Sequence, residues 1–490
     1  MPGPARPRGR RPARGLGVFA AAGAAWAAPV LAHAQDETSD PAALTVVASP
    51  AVPARPAIRF NRWQEDWSVL ANPDVPREPL DSLKYISLSS TDPKVYLSVG
   101  VNLRERLESN DAQAFGTGPN TAQNYLISRA EAHADLHLGA AVQVFVQLQD
   151  DEAVAKTLYS PVDRDRLDVE QAFIVVTEPV GDGLLRLRVG RQQFSFDLQR
   201  FVSVRDGPNV RQSYDAVWGD YDRGPWRITG FYSQPVQNRD QADFDDYSSQ
   251  RLTYGGLRVQ RQTPLLGAVS VSLSRFTQDN VTFPSAKGDE RRDIVDVRVA
   301  GHSHGWDWDM EAMGQYGRIG MQSIQAWAFG SMAGYTFSDV MWTPRLGLQV
   351  DGASGDGNPR DGHLGTFNPL FPNGYYVTMS AYTGYVNFIH LKPSVTLHPT
   401  SKLMVLLAAG GQWRETAGDA VYTQPDIPVA NTAGKPGLYT GTYGQVRAEW
   451  GATPHVAFAL EAVHFAIGSA LQRAGGHDSD YLGLEVKFGW

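Results

Sequence analysis

A dense run of arginines marks the part of the sequence best suited to binding anions. Its members are Arg186, Arg188, Arg191, Arg200, Arg205 and Arg211. A guanidinium group stays charged at every physiological pH and binds a carboxylate through two parallel hydrogen bonds. Arg298, Arg447 and Lys487 fall on the polar faces of later segments. We therefore predict that the eight arginines line a surface that binds carboxylate-bearing ligands.

Carboxylates on the same polar faces allow a second interpretation, in which each arginine pairs with an acid of its own wall. The acids concerned are Glu131, Asp135, Asp307, Asp309, Glu311 and Glu449. The stretch Arg205–Asn209 is also typical of a turn, because Gly-Pro-Asn is turn chemistry, and Asp206 could then serve to cap it. The sequence leaves both interpretations open.

Other kinds of chemistry find little support. The chain has no cysteine, which excludes disulfides, cysteine–zinc sites and thiol catalysis. No Gly-x-Ser-x-Gly elbow and no Ser-His-Asp order stands out, so we predict a protein that is not an enzyme. We expect no cofactor. A loop calcium ion held by Asp351, Asp356 and Asp361 is a weaker alternative, since the loop lacks the full EF-hand pattern.

Alternation of apolar and polar residues with a period of two predicts β-strands along most of the chain. In the last ten residues, Leu482, Leu484, Val486 and Phe488 alternate with glycine and charged residues. The segments 130–138, 141–149, 185–190, 306–311 and 442–450 follow the same rule. Each of these strands has one apolar and one polar face, as expected where one face meets lipid and the other meets water.

A soluble β-sandwich or propeller also alternates, but it needs no aromatic girdle. Here aromatic residues recur near segment ends, at Trp226, Phe231, Trp306, Trp327, Tyr335 and Trp450. Short turns such as 138–140 alternate with long polar loops at 234–250, 351–377 and 412–440. These features favour an all-β, transmembrane, antiparallel up-and-down barrel of about 16 to 20 strands, with a water-filled lumen and long external loops.

The N-terminus predicts export from the cytoplasm. Five arginines precede an apolar run from Leu16 to Leu31, and the small residues Ala32 and Ala34 then suit Sec-type cleavage before Gln35. The net charge of −8 becomes −13 without residues 1–34, so a basic nucleic-acid binder is not expected. We divide the chain into a signal peptide (1–34), a leader and periplasmic-side segment (35–94) and a barrel (95–490).

Three blocks of sequence resemble the alginate-export outer-membrane porin family. The first, within Val189–Trp218, contains Gly190, Arg191, Gln192, Arg200, Arg205, Asp206, Gly207, Pro208, Asn209, Arg211, Tyr214 and Asp215. The second, Gly352–Tyr376, contains Ser-Gly-Asp followed by Thr-Phe-Asn-Pro-Leu-Phe-Pro. The third combines Trp413-Arg414 with Asp419–Tyr422. The blocks span most of the chain in the order found in the family.

The resemblance implies a barrel of about eighteen strands in a Gram-negative outer membrane, passing an anionic polysaccharide such as alginate by diffusion through an arginine-lined lumen. The alternative is an uptake porin for small organic anions. Expected partners are membrane lipid and lipopolysaccharide, periplasmic export components, and the barrel-assembly machinery, through a C-terminal aromatic signal at Phe488 and Trp490. The loop 351–377 is a candidate gate because it is long and rich in Gly, Asp and Pro.

Overall fold

The computed structural model describes residues 55–117, 122–157 and 159–490. The expected signal peptide and the first part of the leader lie outside these residues. No helix in the described ranges has the length and apolarity needed to cross a membrane.

The chain forms a closed antiparallel barrel of eighteen strands, as predicted. In chain order they are β1 (Val95–Asn110), β2 (Gln123–Leu138), β3 (Val142–Val154), β4 (Asp165–Val180), β5 (Gly183–Gln192), β6 (Tyr214–Arg223), β7 (Trp226–Pro235), β8 (Leu252–Thr263), β9 (Gly267–Thr282), β10 (Lys287–Ser303), β11 (Trp306–Ile319), β12 (Gln322–Thr336), β13 (Arg345–Ala353), β14 (Phe388–Thr400), β15 (Leu403–Trp413), β16 (Tyr439–Gly451), β17 (Val456–Ile467) and β18 (Ser479–Gly489). Each strand pairs with its neighbours in the chain, and β18 closes on β1 with Asn102 opposite Gly489 and Asn110 opposite Tyr481.

Short elements complete the secondary structure. Ile86–Ser87 pairs with β1, His363–Leu364 pairs with β12, and Tyr422–Thr423 pairs with Ile427–Pro428. The α-helices are α1 (Asp81–Lys84) and α2 (Ser469–Gln472), and the 3-10 helices are Arg62–Gln64, Trp67–Ala71, Gln113–Gly116 and Gly374–Tyr376. Connections after odd-numbered strands include all the long loops, so we name that rim the loop end. The opposite rim, where β18 finishes, is the turn end.

Alternation places apolar side chains outside the barrel and polar ones inside it. On β18, Leu484 and Phe488 are 45% and 38% exposed, whereas Glu485 between them is 5% exposed. Trp226, Trp306, Trp327 and Trp450 are exposed on the outer face, as the girdle prediction required. Phe231 is an exception to that prediction: it points inward and packs on Trp218, at 5.3 Å between ring centroids.

Two long loops fold into the barrel and fill part of its interior. Segments 193–213 and 354–387 contribute aromatic residues that pack on the inner faces of β6 and β8–β14 toward the loop end, including Phe194, Phe201, Phe367, Phe371, Tyr376 and Tyr385. A second apolar cluster caps the loop end and contains Phe115, Met379, Tyr382, Val421, Val429 and Leu471. The inner faces of β16, β18 and β1–β5 carry mainly polar and charged side chains, whereas those of β15 and β17 are largely apolar.

Candidate pore lining

Arg186 and Arg188 lie on the inner face of β5, whereas Arg191, predicted to line the pore, lies on the face of exposed Val189, because side chains alternate along the strand. Arg186 Nη1 is 3.1 Å from a carboxylate oxygen of Asp222, and Arg191 Nε is 3.0 Å from Asp215 Oδ1. Arg188 is buried among aromatic rings. Alternation predicted the face on which Arg186 and Arg188 lie, while their partners come from other elements.

The stretch Arg205–Asn209 is a turn that projects into the barrel, where two wall arginines hold it. Arg104 on β1 donates to the main-chain oxygens of residues 206, 207 and 208 at 2.9–3.0 Å. Arg129 on β2 donates to Asn209 O and Pro208 O, each at 2.7 Å. The Asn209 Nδ2 group in turn donates to two wall carbonyls and to Asp163 O, just before β4, at 2.9–3.2 Å. Turn geometry and wall binding therefore occur together in this stretch.

Asp206 is the charged centre of this turn. Its Oδ1 accepts hydrogen bonds from Arg129 Nη1 at 2.7 Å and from Arg211 Nε at 2.8 Å, and Lys487 Nζ is 3.3 Å from its Oδ2. Burial alone would raise the pKa of Asp206, but Lys487, Arg211 and Arg129 hold that pKa well below its ordinary value. Arg211 also donates to Glu131 on β2 at 2.6 Å. The carboxylate thus stays ionised and is bridged by three cations.

Arg200 and Arg298 belong to a second buried ion network. Arg200 Nη1 is 2.6 Å from Asp309 Oδ1 and 2.8 Å from Glu311 Oε2 on β11. Arg298 on β10 contacts Asp309 and is 2.7 Å from Asp197, which lies in the same in-folded segment as Arg200. Burial opposes ionisation, but the facing arginines lower the pKa of Asp197 to about 2. This network ties segment 193–213 to the far wall.

The remaining predicted arginines also have partners. Arg205 donates to Leu370 O at 3.4 Å, and burial lowers its pKa. Arg447 on β16 is 2.8 Å from Glu449 and forms a close ion pair with Glu461 of β17. Seven of the eight predicted arginines therefore contact the barrel interior or a segment folded into it, and Arg191 instead pairs with Asp215 near the loop end. Whether they bind cargo stays a prediction.

Sequence reasoning missed Arg104 and Arg129, which position the in-folded turn. A signal for them existed, because Arg104, Arg106 and Glu108 alternate with Leu103 and Leu107 along β1. This alternation, continued along the whole strand, could have identified the polar face of β1 as a candidate inner surface. The spacing of residues in β1 could not predict the partner of Arg104, because the turn that Arg104 binds lies 102 to 104 residues farther along the chain.

The gate candidate and the third sequence block meet at Asp419. The loop between β13 and β14 spans residues 354–387, and that between β15 and β16 spans 414–438. Asp419 Oδ2 accepts hydrogen bonds from Asp356 N at 2.8 Å and from Thr366 Oγ1 at 2.6 Å. Arg414, which is buried, donates to main-chain oxygens within its own loop, including Asp419 O at 3.0 Å. One carboxylate therefore joins the in-folded loop 354–387 to the loop 414–438.

The aspartates considered for calcium lie in different surroundings. Asp351 belongs to β13 and accepts a hydrogen bond from Tyr376 Oη at 2.8 Å, whereas exposed Asp361 accepts from His363 N at 2.9 Å. In the described part of the chain, the acidic group whose ligand atoms lie within 4.8 Å of one another is instead Asp165, Asp168 and Asp246. The calcium prediction is untested.

Comparison with known proteins agrees with this architecture. Residues 95–485 match a protein-family model described as alginate export. No individually curated protein matches the chain.

Among solved structures, the barrel is similar to several channels of Pseudomonas aeruginosa. OccK2 (OpdF), solved in complex with glucuronate, superposes with a TM-score of 0.53 at 8% identity, covering 80% of this chain and 97% of that one. OccK3 (OpdO) superposes with a TM-score of 0.54 at 10% identity, covering 80% of this chain and 95% of that one. OpdK, solved with vanillate, gives 0.51 at 10% identity, covering 80% and 98%. At these identities the likeness shows the fold.

Proposed function

Because this chain belongs to the alginate-export family of outer-membrane β-barrels, we propose that it is a channel through which an anionic polysaccharide crosses by diffusion. The observation that carries the proposal is a set of lumen-facing cations that keep contact with water. The exposed fractions of the side chains are 34% for Arg186, 25% for Arg447 and 37% for Lys487. They lie on the polar side of the lumen, away from the aromatic filling.

Ion pairing of these cations suits transport of a polyanion. Each of them already contacts a wall carboxylate, at 3.1 Å for Arg186 and Asp222 and at 2.8 Å for Arg447 and Glu449. A uronate carboxylate can take the place of the wall carboxylate without leaving a cation unpaired. Binding is then favourable enough for entry and weak enough for release, which is what conduction requires.

Uptake of small organic anions is the second candidate. It is supported by the in-folded segments 193–213 and 354–387, because they narrow the cross-section left for a polymer. The solved barrels that hold glucuronate and vanillate support the same alternative by analogy of fold. Both candidates require an anion-selective lumen, and they differ in the length of the cargo.

Reversal potentials and block in planar bilayers test the proposal. We expect anion selectivity, and block by uronate oligomers at lower concentration than by free glucuronate or neutral oligosaccharides. The triple variant R186Q/R447Q/K487Q should lose selectivity and block. The control R275Q/R291Q/K287Q removes three cations from the outer face, where Arg275 and Arg291 are 53% and 56% exposed. Block by free glucuronate alone would favour the second candidate, and a cation-selective wild type would refute both.

A further inference from the structure

The segment Arg55–Lys84, ahead of the first barrel strand, enters the lumen from the turn end. The Trp63 ring packs edge-on against Phe173 of β4, with 5.7 Å between centroids. The Arg188 guanidinium of β5 lies 4.7 Å from the Trp63 ring centroid. Gln143 of β3 donates to Trp63 O at 2.7 Å. Because these three partners lie on the inner faces of consecutive strands, Trp63 lies inside the barrel.

Neighbouring residues extend this contact toward the pore turn. Arg62 is 1% exposed, and its Nη1 donates to Asn102 Oδ1 of β1 at 2.6 Å. The ring of Phe60 lies 4.5 Å from the Arg211 guanidinium, in the in-folded segment that also carries Asp206. Two arginines expected to bind cargo, Arg188 and Arg211, are therefore covered by aromatic rings from this segment.

The other end of the segment reaches the rim on the other side of the β18–β1 closure. Glu78 Oε2 is 3.2 Å from His455 Nε2 in the turn between β16 and β17. The Lys84 ammonium lies 4.3 Å from the Trp490 ring centroid. The segment thus spans the mouth from the β16–β17 turn, past β18 and β1, to β5.

The segment has its own internal structure. The Glu65 carboxylate accepts hydrogen bonds from Arg62 Nε at 2.7 Å, Arg59 N at 2.8 Å and Trp67 Nε1 at 2.9 Å. Trp67 and Leu70 are buried in a small apolar cluster. In the described chain, no strand pairing or backbone–backbone hydrogen bond joins residues 55–85 to the barrel; strand pairing with β1 begins at Ile86. Undocking therefore breaks side-chain contacts and leaves the wall intact.

We propose that residues 55–84 form a displaceable plug that closes the turn-end mouth. The plug covers Arg188 and Arg211, two of the arginines that the sequence predicts to bind carboxylates, and it would compete with cargo for them. Short turns mark the periplasmic rim of outer-membrane barrels, so the plug closes the channel on the side from which exported cargo enters. The blockage itself depends on the barrel being a channel and not on which anion passes through it.

A disulfide lock tests the plug with small ions alone. The chain has no native cysteine, and a Cβ built at Gly489 would lie 2.9 Å from Ile58 Cγ2. The pair I58C/G489C therefore places two thiols within disulfide reach. In planar bilayers with potassium chloride, we expect the conductance of the reduced double variant to be at least about twofold that of the oxidised one. The single variants I58C and G489C, treated with the same oxidant, are the controls.

Equal conductance of the oxidised and reduced forms, with thiol loss verified, would overturn the proposal. If the double variant does not assemble, R62A/W63A carries the test, since it removes the two deepest anchors of the plug. We then expect higher conductance than in the wild type and in W306A, a lipid-facing control. Unchanged conductance of assembled R62A/W63A would refute the plug. Because no cargo is present, this result is separate from the question of polyanion transport.

Discussion

Substitution of Asp206 by Asn gives the sharpest prediction about the lumen. The carboxylate bridges Arg129, Arg211 and Lys487, so the substitution removes one negative charge and leaves three cations in place. The turn should keep its position, because the hydrogen bonds from Arg104 go to main-chain oxygens and the Asn209 amide binds wall carbonyls. Neither set of bonds uses the Asp206 side chain.

The size of the effect follows from Coulomb's law. One unit charge acts on an ion passing about 10 Å away in water with about 0.4 kcal/mol. That energy changes the local concentration of an anion about twofold and that of a cation about twofold in the opposite sense. The anion-to-cation permeability ratio should therefore rise up to about fourfold. The Debye length is about 10 Å at 0.1 M salt and about 30 Å at 0.01 M, so the rise should be largest in dilute salt.

Reversal potentials under a salt gradient measure this ratio directly, and heat-modifiable electrophoretic mobility shows whether the barrel is folded. The matched control is D293N, which removes an aspartate charge from the outer face, where Asp293 is 49% exposed. A folded D206N protein with wild-type selectivity at low salt would refute the reasoning. Ions would then bypass the turn that carries Asp206.

Two further predictions concern the same turn. Acidification should imitate D206N, because protonation also removes the negative charge of Asp206. Since the pKa of Asp206 is lowered in the folded protein, the contribution of this carboxylate to stability is complete above about pH 4. That contribution is lost as the pH falls toward the lowered pKa. Reversal potentials of the wild type should therefore shift toward those of D206N only when the pH falls well below about 4, where the lowered pKa of Asp206 lies, while the D206N values stay flatter over that range. Substitution N209A should cost about 1–3 kcal/mol, because the carbonyls that accept from the Asn209 amide lose a buried donor. Limited proteolysis should then cut segment 193–213 faster than in the wild type, and an unchanged rate would contradict this role.

The barrel itself could be predicted from sequence because alternation is a local property. In a strand such as β18, the lipid-facing side can be recognised from apolar residues spaced two apart, such as Leu482 and Leu484. Phe231 shows the limit of this rule. Its neighbour Tyr232 is also aromatic, so composition does not distinguish the two faces of β7 at that point. The loops that fold inside the barrel decide the outcome, since Phe194 and Phe196 cover Phe231 from within.

The ion partners could not be predicted because barrel closure sets them. Arg106 on β1 forms a close pair with Glu461 on β17, which lies 355 residues away in the sequence. That contact exists only because β18 pairs with β1 and brings β17 near. Arg200 likewise meets Asp309 and Glu311 only after segment 193–213 has folded across the lumen. The sequence identified which residues face inward, and the long-range topology determined which of them meet.

The structure shows arginines paired with wall acids, the binding of cargo stays a prediction, and the two interpretations together suggest how a polyanion could move. Unpaired arginines in a narrow lumen would bind each carboxylate tightly and hold the polymer. Arginines paired with wall acids, as Arg186 is with Asp222 and Arg447 with Glu449, exchange one carboxylate for another. The net free energy of each exchange is small because one guanidinium–carboxylate pair replaces another, while the displaced wall acid, which keeps contact with water, is hydrated until its arginine returns. A polymer with one carboxylate per sugar could then advance by successive exchanges, each wall acid recovering its arginine as the polymer leaves.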